Sequence, residues 1–181
     1  RLTGKLSDGQ VLVESADEGV VQLILNGVEI NSNTSAPIYL KTAEKTVVIL
    51  ADGTEHALTD TANYVFASAE EDEPKATLFS NDNLTIYGAG TLTLVAQYND
   101  AISTDDGLLI NGARITIKAV DDGIRGKDYL VIQDASLEIA VGGDGLKSDD
   151  DNAEKPGQVQ ISKSTLVINS AGDAISAEGG V

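Results

Sequence analysis

An aspartate recurs at a nearly fixed interval in the second half of the sequence, each time after runs of alternating aliphatic residues. The repeated aspartates are Asp100, Asp122, Asp144 and Asp173. Each is followed by a small residue and then by Ile or Leu, as in Asp122–Gly123–Ile124. The first three are 22 residues apart, and the fourth follows after 29 because residues 152–158 form an insertion. A repeat of this length indicates a solenoid in which each repeat forms one coil.

Each repeat also contains a second alternation with the period of a β-strand. The four examples are Leu92–Thr93–Leu94, Ile115–Thr116–Ile117, Leu137–Glu138–Ile139 and Leu166–Val167–Ile168. Every coil therefore offers two or three short strands joined by Gly, Asn and Asp turns. Stacked coils wind such strands into parallel sheets, so we predict an all-β parallel β-helix with about 22 residues per coil. A β-sandwich gives no reason for this interval, and the apolar spacing of helices is scarcely present.

The first half shows the same pattern less regularly. The runs Val11–Val13, Val21–Ile30 and Val47–Leu50 predict about three earlier coils. Residues 58–75 break the apolar pattern with the acidic run Glu70–Glu73, which predicts a surface excursion.

The repeat pattern runs along the whole sequence and predicts one β-helix domain over residues 1–181. A second loop is predicted over about residues 149–158. Val181 falls where the next strand is expected to begin. We therefore expect the native chain to continue, or a partner to cover this end.

The acidic balance of the chain limits its partners. Twenty-nine acidic and 12 basic residues give a formal net charge of −17, which repels nucleic acid and anionic membranes and attracts cations. No apolar run approaches the roughly 18 residues that cross a bilayer. The chain has no cysteine and one histidine, which disfavours a zinc site.

The repeated aspartates are the candidate metal ligands. Equivalent positions of successive coils stack at about 4.8 Å, so these side chains form a column. Two carboxylates about 5 Å apart repel by about 3 kcal/mol at an effective dielectric of about 20. Oxygen ligands on flexible turns match Ca²⁺, which takes six to eight of them. The predicted Ca²⁺ ligands are Asp100, Asp121, Asp122, Asp144, Asp149, Asp150 and Asp173.

A competing interpretation needs no metal. The column can resemble a buried asparagine ladder whose acids are protonated or paired with Arg125, Lys127 and Lys147. The same cations are the candidate sugar-binding residues, because Arg125 and Lys147 follow Asp122 and Asp144 at the same offset and a cation beside bound Ca²⁺ suits a sugar carboxylate. Both interpretations stay open at this point.

Two further residues are considered for function. Tyr98 lies beside the acidic turn at Asp100 and is a candidate for stacking on a sugar ring, although packing explains it as well. His56 has no serine or cysteine motif beside it, so the sequence predicts no catalytic residue.

Several motifs carry a resemblance to a known family. They are Ala51–Glu55 with Leu58–Asp60, Asp82–Gly90, Ala119–Asp128 and Gly142–Asp149. In order and spacing these motifs resemble the bacterial carbohydrate-binding β-helix family of secreted or cell-surface proteins. Ala101 and Ala174 depart from it where glycine is common after the aspartate, and His56 departs where asparagine is common.

The resemblance implies a right-handed parallel β-helix like that of polysaccharide lyases, bound calcium, and binding of cellulose or of acidic sugars such as polygalacturonate. We therefore expect a non-catalytic, Ca²⁺-dependent polysaccharide-binding protein, extracellular or at the cell surface. The alternatives are a structural solenoid that associates end to end into filaments or matrix, and a Ca²⁺-dependent enzyme similar to pectate lyase. In such an enzyme Lys147 or Arg125 would be the base, yet the surrounding carboxylates favour their charged forms.

Overall fold

The computed structural model describes residues 1–181 and contains nineteen β-strands and no α-helix. In chain order the strands are β1 (Leu2–Leu6), β2 (Val11–Glu14), β3 (Val20–Asn31), β4 (Ile38–Thr42), β5 (Lys45–Leu50), β6 (Glu55–Thr59), β7 (Ala76–Ser80), β8 (Asn83–Tyr87), β9 (Thr91–Ala96), β10 (Asp100–Thr104), β11 (Gly107–Asn111), β12 (Arg114–Ala119), β13 (Ile124–Gly126), β14 (Tyr129–Gln133), β15 (Ser136–Val141), β16 (Leu146–Ser148), β17 (Gln158–Ser162), β18 (Thr165–Ser170) and β19 (Ile175–Ala177). None of the elements is a helix long and apolar enough to cross a membrane.

The strands wind into a parallel β-solenoid with three walls. The first wall is a seven-stranded sheet in the order β19-β16-β13-β10-β7-β4-β2. The second, named here the β5 wall, consists of β5, β8, β11, β14 and β17, and the third, the β6 wall, consists of β6, β9, β12, β15 and β18. The long strand β3 pairs with β5 through Val20–Leu25 and with β6 through Glu29–Asn31, which joins these two walls into one sheet.

The core is a set of stacked aliphatic rows, as the alternation of the sequence predicts. In the seven-stranded sheet the inward row is in register from coil to coil and consists of Ile38, Leu78, Ile102, Ile124, Leu146 and Ile175. The first five of these are buried, whereas Ile175 in the last coil is partly exposed. Each coil thus closes the core of the coil beneath it.

The predicted all-β parallel solenoid is confirmed, and its coil length is refined. The structure has about seven turns of roughly 25 residues each. The sequence predicts four regular and about three looser coils, which agrees with this number of turns. The interval of 22 residues holds where turns are tight between Asp100 and Asp144, whereas insertions lengthen the other coils.

The predicted excursion at residues 58–75 begins two residues too early. Strand β6 continues to Thr59, with His56 and Leu58 both buried toward the core. The polar residues Glu55 and His56 hide this strand from a search for apolar runs. The excursion therefore comprises residues 60–75. The second loop comprises residues 149–157, since β16 ends at Ser148 and β17 begins at Gln158.

The excursion folds back over one end of the seven-stranded sheet. Phe79, which points outward from β7, is fully buried beneath it in a cluster with Tyr39 and Tyr64. The rings of Tyr64 and Tyr98 are stacked, with centroids 4.1 Å apart and an interplanar angle of 13°. The buried carboxylate of Asp60 accepts hydrogen bonds from the Tyr64 hydroxyl at 2.7 Å and from the Thr77 hydroxyl at 2.9 Å. The excursion is therefore a packed part of the fold.

Candidate binding face on the seven-stranded sheet

The outer face of the seven-stranded sheet changes character along the solenoid. Its central row runs, in register, through Tyr39, Phe79, Ser103, Arg125, Lys147 and Ser176. The excursion covers the aromatic first part of this row. In the polar second part, Ser103 is buried and accepts a hydrogen bond from Arg125 at 3.4 Å. Arg125, Lys147 and Ser176 are partly exposed and form the floor of the candidate site, named here the Arg125–Lys147 face.

The repeated aspartates line one edge of this face as a ladder. The Oδ1 atom of Asp100 accepts the backbone N–H of Asp122 at 3.1 Å. In the same way Asp122 accepts from the N–H of Asp144, and Asp144 from that of Asp173, both at 2.7 Å. Each carboxylate therefore satisfies a backbone donor of the next coil, which fixes the turn before each strand of the sheet.

Gly143 leaves room for the side chains of Asp121 and Asp122 to approach each other. A Cβ atom at this position would overlap the Oδ1 atoms of both Asp121 and Asp122. The Gly143 N–H donates to the carbonyl of Asp121 at 3.0 Å, which holds the two turns against each other. A glycine is therefore required here for close approach, and it brings the two neighbouring carboxylates to one point.

Asp100, the first member of the ladder, and Asp121, which lies beside it, are acids whose charged forms are disfavoured. Burial, and then the charge of Asp122, raise the pKa of Asp100 to about 7. Burial and the charge of Asp122 also raise the pKa of Asp121, while Lys147 opposes this shift. Neither carboxylate lies within ion-pair distance of a basic side chain, in contrast to Asp122 and Asp144. These two positions are where a bound cation would relieve the most repulsion.

Lys147 projects from β16 into the middle of the ladder. Its Nζ lies 2.9 Å from Oδ2 of Asp122 and 3.9 Å from Oδ2 of Asp144. Burial lowers the pKa of Lys147, but the hydrogen bond and charge of Asp122 and the charge of Asp144 outweigh it, so the pKa is raised. Lys147 is therefore held charged.

Arg125 projects from β13 and pairs with the opposite edge of the face. Its Nε lies 2.9 Å and 3.0 Å from the two carboxylate oxygens of Asp149, and its Nη1 lies 3.5 Å from Asp105. Burial lowers the pKa of Arg125, but its hydrogen bond to Asp149 and the charges of Asp149 and Asp105 raise it overall. Glu73, from the excursion, approaches the same corner, and burial followed by its hydrogen bond and charge interaction with Asp105 raises its pKa.

The structure brings together only part of the residue set predicted from sequence. Asp100, Asp121, Asp122 and Asp144 form one cluster with Lys147, and Asp149 lies with Arg125 on the opposite edge. Asp173 continues the ladder but is exposed in the last coil. Asp150 caps the loop after β16, where its Oδ1 accepts the N–H of Asn152 at 3.2 Å.

Two predicted sugar-binding residues lie elsewhere. Lys127 follows β13 at its far end, and the ion pairs of the face are made by Arg125 and Lys147 instead. One face of Tyr98 stacks on Tyr64, so that face serves the packing of the excursion.

The role of two acids on this face is not predicted by the sequence pattern. Asp105 pairs with Arg125, and Glu73 arrives from an excursion that has no fixed place in the repeat. The available signal for Asp105 is its position directly after β10, which matches the position of Asp149 directly after β16.

The oxygen atoms of the ladder fit Ca²⁺ in chemistry without forming a complete cage. No three acidic or imidazole side chains converge closely enough to hold a metal by themselves. Asp121 and Asp122 do converge at Gly143, and Ca²⁺ completes its six to eight ligands with backbone carbonyls and water. The Asp121–Asp122 turn is thus the part of the ladder with a compatible donor set.

Comparison with known proteins gives three similarities. The family model of carbohydrate-binding domain-containing proteins matches residues 1–181. A carbohydrate-binding domain-containing protein of Acetivibrio thermocellus is 44% identical over 117 residues, which are 65% of this chain. These residues are 41% of that relative, so the match spans less than half of its length.

A solved structure shares the whole fold. It is described as the polysaccharide lyase-like protein from C. thermocellum, in a gadolinium derivative. The alignment has a TM-score of 0.88 and 32% sequence identity, and it covers 99% of this chain and 81% of the other.

Proposed function

This chain belongs to the family of carbohydrate-binding domain-containing proteins, and we propose that it binds polysaccharide, without cleaving it, on the Arg125–Lys147 face. The observation that carries the proposal is the row of partly exposed polar side chains Arg125, Lys147 and Ser176, which follow one another at the spacing of the coils between two edges of carboxylates. Sugar hydroxyls donate to carboxylates and accept from cations. A chain of sugars lying along the solenoid would meet a cation flanked by carboxylates on two successive coils.

We propose acidic sugars such as polygalacturonate as the preferred ligands. The Arg125 guanidinium already binds the Asp149 carboxylate through Nε and Nη2, the bidentate geometry that a sugar carboxylate would use. A uronate would compete with Asp149 for this group. Because the net charge of −17 repels a polyanion at long range, such binding depends on local positive charge.

Calcium is part of the proposal. Asp121 and Asp122, which converge at Gly143, would contribute side-chain ligands, and backbone carbonyls and water would complete the set. Asp149 is paired with Arg125, and Asp150 lies beyond the end of β16. When bound, the ion supplies positive charge that links protein and sugar carboxylates. The gadolinium derivative of the similar structure gives modest support, because gadolinium is also a hard cation that prefers oxygen ligands.

We also propose a location outside the cell or at its surface, because polymeric polysaccharides of this kind lie there.

End-to-end association of copies of this chain is a further part of the proposed function. In the last coil Leu166 and Ile168 of β18 are only partly buried, whereas Leu137 and Ile139, their partners in β15, are buried. A second copy stacked on this coil would bury them, and sedimentation across a concentration range tests this association.

Polysaccharide cleavage is the second candidate function, favoured by the similarity to a lyase-like structure. A lyase of this kind needs a base that abstracts the proton next to the sugar carboxyl group. Lys147 and Arg125 are the available basic groups, and the raised pKa of each opposes that role. Binding without cleavage is therefore the better-supported function.

A glycan array with added Ca²⁺, repeated with excess chelator, tests the proposal. We expect polygalacturonate to bind with Ca²⁺ and to be lost with chelator. The double variant Arg125→Ala, Lys147→Ala should lose binding, and the matched variant Arg114→Ala, Lys118→Ala, which removes the same charge from exposed positions of β12, should keep it. Binding that persists in chelator with the fold intact would refute the calcium step.

The same samples separate the two candidate functions. Lyase action breaks the chain by elimination and leaves an unsaturated sugar that absorbs ultraviolet light. No rise in absorbance is expected on prolonged incubation with polygalacturonate and Ca²⁺. A steady rise that disappears in Lys147→Ala would replace the binding function with the enzymatic one.

A further inference from the structure

The outer face of the β5 wall contains a second candidate binding site, which is centred on the aromatic ring of Tyr129. Tyr129 begins β14 and pairs in register with Gly107 of β11 on one side and Gln158 of β17 on the other. Asn83 of β8 lies one coil beyond Gly107, because Leu84 and Leu108, the residues that follow them, are paired. This row lies on a different wall of the solenoid from the Arg125–Lys147 face.

Gly107 allows the Tyr129 ring to lie across the neighbouring coil. A Cβ atom at Gly107 would overlap Cζ, Cε1 and the hydroxyl of Tyr129, so the phenol end of the ring occupies the space of the missing side chain. The remaining surface of Tyr129 is open, and 41% of the residue is exposed. The ring is therefore packed on one side and accessible on the other, which is the geometry that a stacking ligand requires.

Two hydrogen bonds hold the ring in this position. The Tyr129 hydroxyl donates to Oδ1 of Asn83 at 3.1 Å, and Nδ2 of Asn83 donates to Oδ2 of Asp106 at 3.1 Å. The ring therefore spans from its own coil to the second coil before it. A ligand that stacks on it meets a side chain whose position is already fixed, which lowers the entropy cost of binding.

Open depressions adjoin the ring on both sides along the solenoid. One, of about 410 Å³, is lined by Lys45, Asn83 and Thr85. The other, of about 540 Å³, is lined by Asn152, Lys155 and Gln158. Tyr129 lines both depressions, so it separates two polar hollows that offer hydrogen-bond donors and acceptors to the hydroxyls of adjacent sugar units.

We propose that Tyr129 is a stacking platform for a neutral, soluble polysaccharide that runs across the coils of the β5 wall. The apolar face of a pyranose ring packs on an aromatic ring, and its hydroxyls point to the sides, where the two depressions lie. A single ring matches one sugar unit of a separate chain rather than the flat surface of a crystal, which needs several coplanar rings.

Acidic side chains outnumber basic ones around the platform, because the two depressions are lined by Glu44, Asp128, Asp150 and Glu154 but only by Lys45 and Lys155. A row of acids follows the strands of the seven-stranded sheet at the edge of the β5 wall, and consists of Asp82, Asp106, Asp128 and Asp150. Burial, and then the charges of Asp128 and Asp82, raise the pKa of Asp106, which shows that these acids already repel one another. A uronate on Tyr129 would add to this repulsion, whereas a neutral sugar can donate hydroxyl protons to the same carboxylates.

The inference rests on the proposed function only for the ligand class, carbohydrate, and it concerns a different face. Affinity electrophoresis in hydroxyethyl cellulose, with calorimetry on cellohexaose, provides the test. We expect Tyr129→Ala to weaken binding about tenfold or more, and Tyr129→Phe, which keeps the ring, to weaken it far less. Gly107→Ala should also weaken it, because the new methyl group displaces the ring.

The controls separate this site from the Arg125–Lys147 face. Tyr87→Ala removes a tyrosine of equal exposure, 42%, from another row of the β5 wall and should leave binding to hydroxyethyl cellulose unchanged. Chelator should also have no effect on it, and Tyr129→Ala should still bind polygalacturonate. The inference would be overturned if the wild-type protein bound neither neutral glycan, or if folded Tyr129→Ala bound them with wild-type affinity. Loss of polygalacturonate binding alone would count only against the proposed function.

Discussion

The single histidine has a structural position that its sequence neighbourhood does not reveal. His56 is buried, and its Nδ1 accepts the backbone N–H of Val28 at 3.2 Å. Val28 lies where β3 changes partner from β5 to β6, so its N–H has no strand partner there. Since Nδ1 accepts, Nε2 carries the proton and donates to the Thr54 hydroxyl at 2.9 Å. The neutral imidazole therefore completes the hydrogen bonding of a bend.

This position makes His56 a source of acid sensitivity. Burial lowers the pKa of His56, so the unfolded chain binds its proton more readily than the folded one. The contribution of His56 is complete above the unfolded pKa of about 6.5 and is lost as pH falls toward the lower folded pKa. Asp100 contributes with the opposite sign over this range, because its raised pKa of about 7 makes protonation of its folded form stabilising. We therefore expect the melting temperature of the wild type to fall relative to that of a His56 variant between pH 7 and pH 5. In His56→Asn, whose amide oxygen can accept from Val28, this part of the fall should be absent. An identical pH dependence in both proteins would contradict it.

Asp122 combines two roles that substitution can separate. Its Oδ1 accepts the Asp144 N–H, and its Oδ2 pairs with Lys147. Asp122→Asn keeps an acceptor for the N–H, whereas Asp122→Ala leaves a buried donor unpaired and should lower the free energy of unfolding by about 1–3 kcal/mol. Both should abolish calcium binding, and Asp105→Ala, outside the ladder, should not. Denaturant unfolding and calcium titration check the two roles, and equal calcium affinity in all three variants would refute the ladder as the ligand set.

At the scale of the strand, position along the solenoid decides how much a core residue contributes. Ile102 of β10 and Ile175 of β19 occupy the same inward row, but Ile102 is fully buried and Ile175 is partly exposed. Ile102→Ala should lower the free energy of unfolding by about 2–5 kcal/mol, the usual cost of a core cavity. Ile175→Ala should cost less than half as much, because this side chain is partly exposed. Similar losses for both, measured by denaturant unfolding, would show that the last coil is covered in solution.

The strands also show what the sequence could and could not predict. Alternation and the aspartate interval predict the parallel coils and the ladder, because equivalent positions of a solenoid must stack. They do not predict which acid pairs with each cation. Arg125 and Lys147 share one row, yet Arg125 pairs with Asp149 and Lys147 pairs with Asp122. The side-chain rotamer and the contacts with the neighbouring coil decide which acid each cation reaches. The sequence places both Tyr98 and Tyr129 beside acidic turns, but it does not predict which ring keeps an open face, since the position of Tyr129 depends on a glycine one coil away.

At the scale of the whole molecule, acidic charge is unevenly matched by basic charge. The Arg125–Lys147 face alone gathers seven acids around two cations, and they are Glu73, Asp100, Asp105, Asp121, Asp122, Asp144 and Asp149. All except Glu73 belong to the coils from β10 onward, and the first coils carry none of the ladder. Cation binding should therefore stabilise one half of the solenoid directly and the other half only through the contacts between coils.

Hydrogen exchange measured with Ca²⁺ and with excess chelator tests this division. A ligand at 100 times its dissociation constant stabilises the state that binds it by about 2.7 kcal/mol, which corresponds to about a hundredfold slower exchange through the openings that release it. We expect this slowing in β10, β13 and β16, whose preceding turns carry the ladder. Strands β3 and β5 should change little, because repeats in a solenoid are coupled mainly to their neighbours. The melting temperature should fall by several degrees in chelator. Equal protection of all strands by Ca²⁺ would mean that the coils open as one cooperative unit. If exchange did not change in any strand, calcium would not stabilise this fold.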